Sequence, residues 1–171
     1  FIMWGFLTLL IGTTILAIDM DILDKGGKVL TGQSYSIFKG DFYLSYSFVM
    51  DLMGLLFVVG IGVAMYRRYV VRKERLLDRH TGLEDDLFLW SLFLLGVGGF
   101  VTEAIRILGT STTRDISFET VSFVGWFLKD VFAAAGMTPE MATAAYPAIW
   151  WSHALLAFVF IAAIPYAKPF H

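Results

Sequence analysis

Two histidines lie 18 residues apart in the apolar C-terminal stretch, at His153 and His171. If this stretch is one α-helix, 18 residues make about five whole turns, so both imidazoles point to the same side, about 27 Å apart. That distance is close to the thickness of the hydrocarbon core of a bilayer. The types and spacing predict metal ligation, with two stacked haems that each take an axial imidazole from this helix.

A histidine inside an apolar span is costly without a partner, so His153 is the stronger candidate of the two. The alternative role is structural, as a neutral imidazole hydrogen-bonded to a neighbouring helix. Pro165 and Pro169 can kink the helix, which makes the shared face an approximation. A third histidine, His80, lies among charged residues of a basic loop and is expected to be solvated, not a ligand.

The elements that must position these residues are long apolar segments. The chain has 171 residues, of which 57% are hydrophobic, and a mean hydropathy of +0.70. A membrane span needs about 20 apolar residues, and four stretches approach that length: Phe1–Ile18, Phe42–Tyr66, Leu87–Leu108 and Ala142–Tyr166. The fold class is therefore predicted as all-α, an integral membrane bundle of four transmembrane helices in one domain. Residues 1–171 are expected to be a segment of a longer chain.

The connections predict the orientation in a cell membrane. Six basic residues in the second loop mark it as cytoplasmic: Arg67, Arg68, Arg72, Lys73, Arg75 and Arg79. Both chain ends are then cytoplasmic, and the first and third loops lie outside. Asp19–Asp41 is expected to be an irregular loop. Ile116–Ala135 mixes aromatic and charged residues, which is typical of a helix in the outer interface, and Thr138 and Pro139 are expected to begin the last helix.

Three ionisable residues inside the spans are further candidates. Glu103 and Arg106 are three residues apart, so they can pair on one helix face. One possibility is that the two residues only neutralise each other as an ion pair. The other is a functional role, in which Arg106 binds a haem propionate and Glu103 accepts a proton from a quinol. Asp51 lies near mid-membrane, where a carboxylate acts either as a proton relay or as a contact between helices. The chain has no cysteine to ligate an iron–sulfur cluster and no nucleic-acid-binding motif.

The first span, FIMWGFLTLLIGTT, and the C-terminal stretch with its histidine pair resemble the membrane cytochrome b subunit (gamma subunit) of respiratory nitrate reductases. A closer resemblance is to the membrane domain of heterodisulfide reductase-like iron–sulfur oxidoreductases. The resemblance extends over the whole chain, and its specific part is the spacing of His153 and His171. The first span departs from the family pattern, because Phe1–Ile18 contains no histidine to supply the opposing haem ligands.

The resemblance implies one or two haem b groups, with His153 as the distal and His171 as the proximal ligand. It also implies electron transfer from menaquinol or ubiquinol, near the outer face, to a cytoplasmic iron–sulfur subunit or fused domain. The protein would supply axial ligands and orientation for the cofactor. The alternative function is a non-redox membrane module, a proton or ion pathway or an assembly scaffold, in which Asp51, Glu103 and His153 form the path.

Overall fold

The computed structural model describes residues 2–33, 35–71, 83–113 and 115–166, and these parts are helical without a β-strand. The α-helices are α1 (Ile2–Ala17), α2 (Gly27–Thr31), α3 (Gly40–Tyr69), α4 (Leu83–Thr110), α5 (Phe123–Ala134) and α6 (Pro139–Ala163). A π-helical segment, Ile18–Gly26, joins α1 to α2, and short 3₁₀ segments cover Ser117–Val121 and Ile164–Tyr166.

Four helical segments are long and apolar enough to cross a membrane, which confirms the predicted fold class. They are Ile2–Thr31, Gly40–Tyr69, Asp85–Thr110 and Pro139–Tyr166. Lengths of 26 to 30 residues exceed the roughly 20 that a bilayer requires. A continuous helix satisfies its backbone hydrogen bonds internally, as a chain in lipid must.

Helix α4 is the centre of the bundle, because it packs against α3, α5 and α6, while α1 packs against α3. Its main apolar contact joins Phe57 and Ile61 of α3 to Leu92 and Leu95 of α4 and Phe160 of α6. A second cluster lies nearer the end of α4 and joins it to the start of α6 through Ile105, Leu108 and Ala142. Large apolar side chains on the outside of the bundle remain exposed, as a lipid-facing surface requires.

The predicted irregular loop at Asp19–Asp41 is wrong in its first half, because the first helix continues through the π-helical segment and α2 to Thr31. Gly26 and Gly27 do not break it. A Cβ on Gly27 would lie 2.7 Å from the Tyr35 ring and 2.8 Å from the Gln33 carbonyl oxygen, so glycine lets the returning chain approach closely. The helix ends at Gly32, whose left-handed φ of 73° suits glycine.

The buried carboxylate of Asp19 holds the returning chain. It accepts hydrogen bonds from the Ser36 hydroxyl at 2.6 Å and from the backbone N–H groups of Ile37 and Phe38 at 2.6 and 3.3 Å. Asp19 is only 2% exposed, and a carboxylate buried to this degree needs such donors. The side chain thereby fixes the connection between α1 and α3.

The connection before α6 contains the predicted additional helix. Hydrogen bonds from the backbone and hydroxyl of Ser117 to Asp115 begin the 3₁₀ segment, and they hold the pKa of Asp115 below its usual value. The longer helix α5 follows at Phe123. Thr138 caps α6 by accepting from the Met141 N–H at 3.3 Å, and Pro139 is its first residue, which confirms the predicted start.

The contact between α1 and α3 depends on Gly5. A Cβ there would lie 2.9 Å from the Phe57 Cβ and 3.4 Å from the Met53 carbonyl oxygen, and these atoms are at or next to the α3 backbone. We expect Gly5→Ala to lower the free energy of unfolding in detergent by about 1–3 kcal/mol, because the helices must separate. Gly62→Ala is the matched control, since its Cβ would meet nothing within 4 Å. The control should be neutral or stabilising by up to about 1 kcal/mol, and equal loss in both variants would contradict the close contact.

Candidate functional site

Arg106 of α4 forms a bidentate ion pair with Glu119 of the 3₁₀ segment. Its two terminal nitrogens donate to the two carboxylate oxygens at 2.7 and 2.9 Å. Glu119 is 1% exposed, whereas the Arg106 side chain is 26% exposed. The predicted partner, Glu103, lies farther from the guanidinium, at 3.9 Å. Arg106 is therefore mainly committed to Glu119, and its pairing with Glu103 is secondary.

Asp51 of α3 binds the first turn of α5. Its Oδ2 accepts a hydrogen bond of 2.7 Å from the backbone N–H of Val124. The N-terminal amides of a helix have no partner within the helix and carry a partial positive charge, so a carboxylate is favourable there. Its other oxygen, Oδ1, is buried and has no hydrogen bond of normal geometry. Asp51 thus attaches α5 to α3 while half of its carboxylate is left unsatisfied.

Glu103 of α4 reaches the same turn of α5. A Cβ built on the buried Gly125 would lie 2.8 Å from both Cδ and Oε2 of Glu103, so the carboxylate lies directly on the glycine. Ser122, just before α5, interacts with Glu103 and shares a hydrogen bond of 2.6 Å with Ser47 of α3. The junction of α3, α4 and α5 is a polar cluster inside a largely apolar bundle.

His153 of α6 lies against two glycines of α4. A Cβ on Gly98 would be 3.0 Å from Nδ1 of the imidazole, and one on Gly99 would be 3.8 Å from Cε1. The side chain is partly buried, and its Nδ1 is buried without a hydrogen-bond partner. Any larger residue at position 98 would therefore displace the imidazole. The predicted alternative, an imidazole hydrogen-bonded to a neighbouring helix, is not what the structure shows for Nδ1.

An imidazole nitrogen can ligate haem iron, but the unpartnered Nδ1 of His153 is buried against Gly98 of α4, so an iron would have to be bound through Nε2. In the described parts of the chain His153 is the sole histidine, and no group of three or more His, Asp or Glu side chains could hold a metal ion. Ligation of haem by His153 therefore stays a prediction.

The other predicted ligand, His171, lies outside the described residues, as does His80. The geometry assumed for the pair was a continuous α-helix from His153 to His171. Helix α6 ends at Ala163 and continues as a 3₁₀ turn through Pro165 to Tyr166, so the α-helical spacing applies only to the first ten residues of that interval. Ligation by His171 stays a prediction.

One stripe of α4 connects the histidine to the carboxylates. Gly99, Glu103 and Arg106 are at positions i, i+4 and i+7, so they share a face of the helix. Along the axis of α4, Glu103 lies about 6 Å from Gly99, one of the two glycines in contact with His153. A redox group at His153 and a proton-accepting carboxylate would thus lie one helical turn apart.

Several members of this cluster were missed by sequence reasoning. Ser122, Gly125 and Glu119 each contact a predicted residue that is far from them in the chain, and Ser47 contacts Ser122. A signal for Glu119 was present, since it is a charge between Phe118 and Val121 in an apolar segment. Its partner could not be chosen without the fold, because Arg106 had a closer neighbour in the sequence at Glu103.

The fold and site define an α-helical membrane bundle with ionisable groups buried at one helix junction. No family model and no solved structure matches the chain. Among curated proteins it is similar to the EtfAB:quinone oxidoreductase of Syntrophomonas wolfei subsp. wolfei, with 30% identity over 176 aligned positions that cover all of this chain. The chain spans 22% of that protein's length. The similarity supports a relationship to an electron-transfer oxidoreductase.

The Arg106–Glu119 pair generates a stability prediction. We expect Glu119→Ala to lower the free energy of unfolding by about 3 kcal/mol, because it leaves a partly buried guanidinium without its main partner. Lys28→Ala is the control, since it removes an ion pair with Asp24 in which the lysine is 57% exposed. Loss of that pair should cost about 0–1 kcal/mol. Thermal unfolding in detergent measures both, and similar small losses would show that Glu119 is not a structural anchor.

Proposed function

We propose that this domain is a membrane module for quinone-linked electron transfer. The observation that carries the proposal is the arrangement along α4, where the His153 imidazole of α6, with its unpartnered nitrogen, and the partly buried carboxylate of Glu103 lie about one helical turn apart within a membrane-spanning bundle. The similarity to an EtfAB:quinone oxidoreductase supports a quinone as the membrane-soluble reactant.

Glu103 is the proposed proton acceptor and donor. Oxidation of a quinol releases two protons and two electrons, and reduction of a quinone takes up the same number. A carboxylate beside the bound ring accepts a hydroxyl proton in one direction and returns it in the other. Glu103 suits this role because Arg106 is held by Glu119 and does not neutralise it fully. Arg106 would position a quinone oxygen or a haem propionate.

The finer proposal concerns the redox cofactor. Haem b, when bound, supplies one-electron transfer, and His153 would be one of its axial ligands. The glycines Gly98 and Gly99 hold the imidazole against α4 without a competing side chain. His171 is the proposed ligand of a second haem nearer the cytoplasm. The chain would therefore bind one haem through His153, or two if His171 is also a ligand.

The proposed orientation follows the basic loop between α3 and α4. With that loop in the cytoplasm, the junction of α3, α4 and α5 lies toward the outer face, where menaquinol or ubiquinol would react. Electrons would then pass inward from quinol to a cytoplasmic iron–sulfur subunit or fused domain. The relative is an EtfAB:quinone oxidoreductase, a name in which quinone is the second reactant, so both directions of the reaction require measurement.

We expect Glu103→Gln to lower the rate of electron exchange with menadiol or decylubiquinol by about 100-fold, because a positioned acid–base group contributes about 10²–10⁴-fold. Gly125→Ala should lower the same rate while keeping the carboxylate, since its Cβ displaces the Glu103 side chain. Stopped-flow measurement of the full-length protein in detergent would give these rates. Asp130→Asn is the control, because that carboxylate of α5 is exposed and paired with Lys129. Rates equal to wild type in both test variants would exclude Glu103 from the reaction.

We expect purified full-length protein from haem-replete cells to show a b-type spectrum when reduced. His153→Ala should remove a haem, which pyridine haemochromogen assay and redox titration would detect. Trp151→Ala is the matched control, because Trp151 lies two residues from His153 on the exposed side of α6. This variant should keep the wild-type haem content. Full haem content in His153→Ala would refute the ligand assignment, and a colourless, folded wild-type protein would favour the non-redox module instead.

A further inference from the structure

We propose that Asp51 and Glu103 share one bound proton at the first turn of α5. The two side chains come from different helices, α3 and α4, and converge on consecutive residues. Asp51 accepts from the Val124 N–H at 2.7 Å, and Glu103 lies on Gly125 at the distances given above. The two carboxylates are close enough to interact electrostatically. Their proximity is built into the packing of α5 across the two helices.

The burial of Asp51 is the observation that favours a proton. The residue is 3% exposed, and its Oδ1 has no hydrogen bond of normal geometry, although the Gly125 backbone N–H also interacts with the carboxylate. An ionised carboxylate can only accept hydrogen bonds. An ionised Glu103 nearby therefore cannot donate a hydrogen bond to the unsatisfied oxygen of Asp51. A proton on either carboxyl group creates an O–H donor and removes one buried negative charge, which relieves both costs.

The charges around the pair favour retention of this proton. Arg106 is already bound to Glu119 through both terminal nitrogens, and Glu103 lies 3.9 Å from its guanidinium. The partial positive charge at the start of α5 offsets part of the remainder. Two like charges in one low-dielectric site cannot both remain ionised without compensation.

Among the residues that the structure describes, the other polar groups that face the pair do not supply a second cation. From α3, Tyr43 interacts with Arg106 and Tyr46 with Glu103, while Ser47 is bonded to Ser122 before α5. These side chains are neutral hydroxyl groups at ordinary pH. Lys129, the basic residue of α5, lies over the Trp126 ring and is paired with Asp130. A proton is therefore the cation that the site accommodates most directly.

The bound proton is a property of the protein without substrate, and only its use in quinone chemistry rests on the proposed function. During quinol oxidation, Glu103 would accept a hydroxyl proton from the ring, and the pair would release the proton that it already holds. Asp51 would then be a positioning residue that acts through Glu103, since the carboxylate beside the quinone ring is that of Glu103.

Infrared difference spectroscopy of the full-length protein, in detergent and without quinone, tests the proton directly. A pH titration should reveal the C=O stretch of a protonated carboxyl group that persists near neutral pH and moves to lower frequency in D₂O. Labelling with ¹³C-aspartate or ¹³C-glutamate should shift this band without any mutation. Absence of a carboxylic C=O band near neutral pH, or a band that neither label moves, would overturn the shared proton.

Variants assign the band to the pair. Asp51→Asn and Glu103→Gln should each remove it or shift it, whereas Asp130→Asn should leave it unchanged. If Asp51→Asn does not fold, Glu103→Asp should still shift the frequency. A band that depends on sodium chloride but not on pH would indicate a sodium site and overturn the proposal. A retained band in protein that does not react with quinols would leave the proton in place and refute the proposed function alone.

Discussion

The hydrogen bond from the Val124 amide to Asp51 determines where α5 lies. It attaches the beginning of that helix to a carboxylate inside a membrane-spanning segment. With α5 held there, the bare backbone of Gly125 faces Glu103, Ser122 meets Ser47, and the preceding 3₁₀ segment places Glu119 under Arg106. Each of these contacts would be lost if α5 moved by one turn, about 5.4 Å along its axis.

This arrangement also decides how charge is tolerated at the junction. An ionised group in an apolar bundle requires a nearby charge or several hydrogen bonds. Arg106 and Glu119 meet the requirement with two parallel hydrogen bonds, whereas Asp51 and Glu103 obtain only partial compensation. The Arg106–Glu119 pair is therefore expected to stabilise the fold, and the proposed proton chemistry is assigned to Asp51 and Glu103. Position in the same cluster therefore does not imply the same role.

The sequence predicted what depends on local pattern. Apolar length gave the four spans, Thr138 and Pro139 marked the start of α6, and a mixed segment indicated the additional helix. It failed where the outcome depended on distant residues. Asp19–Asp41 was predicted to be a loop, but the helix continues to Thr31, and Gly27 lets Tyr35 approach closely. Glu103 was the predicted partner of Arg106, but the 3₁₀ segment brings Glu119 closer. The contact of Gly98 and Gly99 with His153 depends on how α6 packs against α4, which the sequence does not show.

The carboxylate of Asp19 has a consequence for how the chain enters a bilayer. All three of its donors, at Ser36, Ile37 and Phe38, lie beyond α2 on the way to α3. A helix that inserted alone would carry this charge into a poorly solvating region without those donors. The two spans that this carboxylate joins, Ile2–Thr31 and Gly40–Tyr69, are therefore expected to enter the bilayer as a preassembled hairpin, with the connecting segment already folded.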